Sequence, residues 1–182
     1  MVKPNNWETI EPDYGDYEKL PAGGYVCRIV AVQATTSNAG NEMLVIYLDI
    51  AEGTHTGRFM KQYRTRKEYE EQPKWSNAAT FRQLTSGEYV SRFKGFIKTI
   101  EKSNPGFVWN WDEKKLEDLR FGGIFREEEY LDNKGNLRTA TKIYRIVPIE
   151  GLADRPIPTK KPLAESKNNS PFNADATEDI PF

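Results

Sequence analysis

Two stretches in the first third of the chain carry a strand pattern. From Tyr25 to Thr35 the residues are β-branched and aromatic, with Arg28 the only charge. From Glu42 to Ala51, Leu44, Ile46, Leu48 and Ile50 alternate with Met43, Val45, Tyr47 and Asp49. The aliphatic set predicts a core face. Leu20 to Gly24 turns the chain into the first strand, and Thr36 to Asn41 is the loop joining the two. After a turn at Glu52 to Gly57, a third strand is expected from Arg58 to about Arg66. Lys67 to Ser86 is polar, contains Pro73 and Trp75 and fits no period, so it reads as a long excursion.

The period then changes. Val90, Phe93, Phe96, Ile97 and Ile100 fall at helical spacing, with Ser86 as a candidate cap and Asn104-Pro105-Gly106 as the stop. Lys94 and Lys98 belong to the solvated side of that helix. Trp109 and Trp111 flank a connector and are expected in the core; Asp112 caps a short helix after them. Two more strands, about Phe121 to Leu131 and Leu137 to Ile149, form a hairpin across Asp132 to Asn136. Three strands, a helix and a hairpin suit a mainly β, five-stranded Greek-key barrel of the OB-fold type, whose helix lies between strands 3 and 4. An open α+β sheet with a helix on one face has the same linear order.

Composition divides the chain into an N-terminal arm (1–20), a body (21–150) and a tail (151–182). The arm mixes acids with Trp7, Tyr14 and Tyr17 and is expected to lie on the body through its rings. The tail carries Pro156, Pro158, Pro162 and Pro171 among Lys, Ser and Asn, and predicts a flexible tether spanning roughly 30 Å. Lys plus Arg (26) and Asp plus Glu (27) nearly cancel. The charge is unevenly spread, however, with an acidic opening and a basic run from Arg58 to Lys67. Cys27 and His55 are each the only one of their kind, so neither an intrachain disulfide nor a Cys/His zinc site is expected. No apolar run has membrane-spanning length and no leader pattern opens the chain, which predicts a cytoplasmic protein without a membrane partner. Nothing in the chain calls for a cofactor.

The basic run is the first site candidate. On a strand, Phe59, Lys61 and Tyr63 share one face and Arg58, Met60, Gln62, Arg64 and Arg66 the other, and neither is a clean core face. A row of ring, cation and ring suits a single strand of nucleic acid, whose bases stack on rings at roughly 1–3 kcal/mol each while cations meet the phosphates. Tyr47 and Trp75 join Phe59 and Tyr63 as stacking candidates; all four would equally serve as core packing. Phosphate contacts are expected from Arg28, Lys61, Arg64, Arg66 and Lys67. Arg126, Lys142 and Arg145 are single strand cations that are ordinary surface or the lining of a positive channel. Glu127 and Glu129 share a face and would suit magnesium in a nuclease, or a charged edge that blocks strand pairing.

The chain ends in Asp179-Ile180-Pro181-Phe182, two apolar side chains and a carboxylate after an acidic approach. Pro181 keeps that end extended, as a peptide docking into a basic-rimmed pocket would be. It resembles the C-terminal tip of bacterial and phage single-stranded DNA-binding proteins. Phe93 to Phe107 and Phe121-Gly122-Gly123-Ile124-Phe125 are similar to segments of such proteins from phages and prophages of Gram-positive bacteria. The resemblance implies a protein that coats single-stranded DNA during phage replication or recombination in the host cytoplasm. It further implies that the tip recruits replication, recombination or repair proteins. The long excursion and the sparse acids near the tip depart from the cellular bacterial relatives. A homo-oligomer is compatible with the pattern. A metal-dependent nuclease and an OB-type protein-interaction module that does not bind DNA are the alternatives.

Overall fold

The computed structural model describes residues 19–163 and, before them, 2, 3, 5 and 7–9. Its five strands are β1 (Gly23–Thr36), β2 (Glu42–Ile50), β3 (Thr80–Leu84), β4 (Arg120–Leu131) and β5 (Leu137–Val147). They form one antiparallel sheet in the order β3-β2-β1-β4-β5. Helix α1 (Arg58–Lys67) follows β2, and α2 (Val90–Ser103) lies between β3 and β4. The protein is thus mainly β with few helices. Among the described residues no helix is long and apolar enough to cross a membrane.

The strands expected near residues 25, 42, 121 and 137 and the helix ending at Ser103 are all present. The third strand is elsewhere. Residues 58–67 are helical, and β3 emerges from the stretch expected to be irregular. The switch has a physical cause in Asp49. Its Oδ1 accepts from the backbone N–H of Phe59 (2.9 Å) and Ile50 (2.8 Å), and its Oδ2 accepts from that of Met60 (3.1 Å). A strand carboxylate thereby takes two of the orphan donors of the first turn of α1. Arg64, Arg66 and Lys67 in the last turn complement the opposite end of the helix dipole. With 3.6 residues per turn, Phe59 and Tyr63 fall on one side and both are buried. β3 was hidden because it is five residues long and reads Thr-Phe-Arg-Gln-Leu, with no apolar alternation.

Phe93, Phe96, Ile97 and Ile100 of α2 are buried, while Lys94 and Lys98 are exposed as expected. They meet a core containing Ile29, Ile46, Leu48, Ile50, Phe121 and Phe125. Asp112 caps the 3-10 turn Glu113–Leu116 by accepting from Lys114 N (3.1 Å), whereas the Ser86 hydroxyl accepts from Glu42 N (3.3 Å) rather than capping a helix. Gly123 is required by close approach: a Cβ there would sit 2.8 Å from Cys27 Sγ.

Packing continues beyond residue 150, where the tail was expected to begin. Leu152 is buried with Ile124 and Val147. Farther on, Lys161 bridges in parallel to Glu128, with Glu129 N donating to Lys161 O and Lys161 N to Glu127 O, both at 2.9 Å. The tip residues Asp179, Ile180, Pro181 and Phe182 lie outside the described residues, as do Tyr14 and Tyr17. Trp7 of the arm is exposed, not laid against the body.

β4 pairs with β1 only over Arg120–Phe125. Beyond that point β4 and β5 continue together to Leu131 and Leu137 as a ribbon.

Candidate nucleic-acid interface

The four rings expected to stack on bases are core. Tyr47, Phe59, Tyr63 and Trp75 are each at most 8% exposed. Phe59 stacks on Phe125 at 6.1 Å, and Trp75 packs against Tyr63 (5.5 Å) and Tyr47 (6.5 Å). Trp75 Nε1 donates to Ala79 O (3.2 Å), which pins the excursion over the second face of β2. The correction follows from α1, because a helix turns Phe59 and Tyr63 inward together where a strand would have set them in a row with Lys61.

The expected cations fare differently. Arg28, Lys61 and Arg64 line one pocket of about 460 Å³, together with Asp49, Gly57, Met60, Thr65 and Glu68. Lys61 and Arg64 stand at i and i+3 on α1, hence on one side of it. Arg28 reaches across from β1, its Nη1 also 3.4 Å from Asp118 Oδ1. Arg66 points elsewhere and donates to Lys74 O (3.2 Å); exposed Lys67, at the end of the helix, does not line the pocket. Burial raises the pKa of Asp49 despite its three backbone donors.

Sequence reasoning placed the hairpin and named Arg126 and Lys142 as strand cations, but missed the rings beside them. In the observed register Arg126 lies opposite Lys142, Glu128 opposite Ala140 and Tyr130 opposite Arg138. Strand alternation puts these side chains on one face. The Arg126 guanidinium lies over the Tyr144 ring (4.0 Å to the centroid), and Lys142 Nζ is 5.8 Å from the Tyr130 centroid. Glu128 sits between the two cations, 2.7 Å from Arg126 and 3.8 Å from Lys142. Tyr130 and Tyr144 are 40% and 46% exposed. The ring-and-cation row sought at residues 59–63 is thus found on this ribbon. Its signal was present as alternation at 126, 128, 130 and 138, 140, 142, 144, but the two halves join only once the hairpin register is known.

Trp111 is a further correction. It is 80% exposed with φ 70°, whereas Trp109 is partly buried, edge-on to Phe93 at 6.3 Å. Glu129 is held by Lys160 Nζ (2.5 Å) and Leu163 N (3.3 Å), and the Lys160 bond lowers its pKa. Among the described residues no cluster of three or more His, Cys, Asp or Glu side chains is placed to hold a metal.

Asp132 shapes the ribbon tip. Its Oδ1 accepts from Lys134 N and Asn136 N (both 2.9 Å), and its Oδ2 from Arg138 Nε (3.1 Å). The backbone bond from Asn136, followed by the Arg138 and remaining Asn136 and Lys134 contacts, holds its pKa down to about 2. A depressed carboxylate contributes stability above its unfolded value near 3.9, and the contribution is lost as pH falls through the folded value. Protection of the Asn133 to Asn136 amides, taken relative to the intrinsic exchange rate at each pH, is therefore expected to fall between about pH 4 and pH 2. Asp132→Ala should show the lower protection already at neutral pH, and the difference from the natural protein should shrink as pH falls toward about 2.

The described residues form a single-sheet, mainly β protein with a cationic pocket at α1 and a row of rings and cations on the β4–β5 ribbon. Residues 8–92 match the model of a family described as "Protein of unknown function (DUF669)", a similarity over a little under half the chain. The matched part holds all the pocket residues and stops before the ribbon. No curated protein matches the chain.

Proposed function

We propose that this chain binds single-stranded DNA. The observation that carries the reading is the ribbon row in which exposed Tyr144 and Tyr130 flank the half-buried cations Arg126 and Lys142, with Glu128 between them. Rings accept unpaired bases, neighbouring cations meet phosphates, and a duplex offers no free base faces to such a row. Arg28, Lys61 and Arg64 form a second cationic site, at which a phosphate could be held. We read the fold as an OB-type barrel. The strand order β3-β2-β1-β4-β5 with a helix between β3 and β4 supports that, as do the contacts between edge strands β3 and β5.

The work assigned to this binder is to coat and protect exposed strands in phage DNA replication or recombination within a bacterial cytoplasm. Asp179, Ile180, Pro181 and Phe182 would recruit replication, recombination or repair proteins. The nuclease alternative loses ground because Glu129 is already engaged by Lys160.

Titration with oligo-dT and with duplex at two salt concentrations tests the reading. Affinity should favour the single strand and fall with salt at a log–log slope of roughly −0.7 per phosphate neutralised. Equal affinity for duplex, or indifference to salt, favours the protein-interaction module. Deleting residues 173–182 should leave DNA affinity unchanged or raised while abolishing partner pull-down. A large fall in DNA affinity would overturn that division of labour.

A further inference from the structure

We propose that the pocket between α1 and the β1–β2 pair is a phosphomonoester site, taking the terminal phosphate of a strand or that of a free mononucleotide. The pocket is concave, about 460 Å³, and three cations from two elements converge on it. Arg28 alone of the three has acidic partners among the described residues: a long contact to Asp118 at 3.4 Å, and Asp49, opposite it on β2, whose charge it stabilises. Lys61 and Arg64 have no acidic partner among the described residues.

The floor of the pocket looks unfavourable to an anion, since Asp49 lines it. Its carboxylate, however, is occupied by three backbone N–H groups, two of them from the first turn of α1. The positive end of the helix dipole therefore offsets it locally. The same contacts engage those two helix N–H groups, so an incoming anion must be held by side chains. Three cationic side chains match a group with three free oxygens and a charge of about −1.5 to −2. An internal phosphodiester offers fewer free oxygens and less charge, and its chain continues on both sides, which suits a groove better than a pocket. Glu68 on the lining opposes the ligand, and Thr65 takes no donor role because its hydroxyl donates to Lys61 O (3.1 Å).

Where the monoester is a strand end, the proposal rests on the strand-binding reading; where it is free, it stands alone. The test uses the full chain with fluorescent oligo-dT of one short length carrying a 5′-phosphate, a 3′-phosphate or hydroxyls at both ends. Parallel titrations use thymidine monophosphate, thymidine and inorganic phosphate. One phosphorylated end is expected to bind about tenfold tighter than the hydroxyl oligomer, the weight of one charge-assisted hydrogen bond. Lys61→Ala with Arg64→Ala should erase that preference, and Glu68→Gln should widen it.

Monophosphate binding that the double variant abolishes, without any preference for strand ends, places the site on free nucleotides. Binding of the monophosphate alone, with no oligomer bound, keeps the pocket and removes the strand reading. A hydroxyl oligomer that binds as tightly as both phosphorylated ones, with no binding of thymidine monophosphate or inorganic phosphate, overturns the proposal and leaves the strand reading intact.

Discussion

Replacing Tyr130 and Tyr144 together by alanine lowers affinity for oligo-dT by roughly two orders of magnitude or more, while the fold stays intact. Each base lost from an aromatic platform costs roughly 1–3 kcal/mol, so two rings are worth about 2–6 kcal/mol if both stack. Both side chains are substantially exposed, and their removal leaves the core untouched. Exposed substitutions of this kind usually change stability by no more than about 0.5 kcal/mol. Trp75→Ala is the contrasting experiment. That ring is buried against Tyr63 and Tyr47, so its loss should cost about 3–5 kcal/mol of stability. Binding titrations beside denaturant melts separate the two outcomes. A tyrosine pair whose removal leaves DNA affinity within twofold would remove the ribbon from the binding surface.

Asp49→Ala is expected to be the most destabilising polar substitution among the described residues. Asp49 is 1% exposed and accepts from Ile50 N, Phe59 N and Met60 N. An orphaned buried donor costs about 1–3 kcal/mol, so losing these acceptors should cost about 3 kcal/mol or more and loosen α1. Asp49→Asn retains one acceptor oxygen and should fall between the variant and the natural protein. The pH dependence has the sign set by burial. A carboxyl whose pKa is raised contributes stability that is fully present below its unfolded value, near 3.9. That contribution is lost as pH rises through the higher folded value. Asn, which does not titrate, should flatten this dependence. Denaturant midpoints across pH measure both effects, and an unchanged midpoint for Asp49→Ala would refute the capping role.

What was legible in the sequence follows from how locally each feature is encoded. β1, β2, β4, β5 and α2 announce themselves because period and burial agree within a dozen residues. α1 does not: its apolar positions are few, its charges are many, and the group that nucleates it comes from the preceding strand. β3 is five residues long and is defined by its register with β2, Tyr47 opposite Thr80 and Met43 opposite Leu84. The expected phosphate ligands Arg28, Lys61 and Arg64 do converge, although by way of a helix rather than a strand. Tyr47, Phe59, Tyr63 and Trp75 were misread as surface candidates because a buried aromatic and an exposed one look alike in sequence. Tyr130 and Tyr144 come into one row only through the pairing of β4 with β5. Leu152 and Lys161 sit in a proline-rich stretch whose composition suggests a tether, yet a buried leucine, the bridge at Lys161 and the contacts of Lys160 and Leu163 with Glu129 hold that stretch against the sheet.

The most direct test of the account is photo-crosslinking of oligo-dT carrying 4-thiothymidine, followed by peptide mapping. The account predicts adducts in peptides containing Tyr130 and Tyr144, competed away by unlabelled single strand and not by duplex. Efficient crosslinking that avoids residues 126–147, and falls for example on the exposed Trp111 or Trp7, would contradict it.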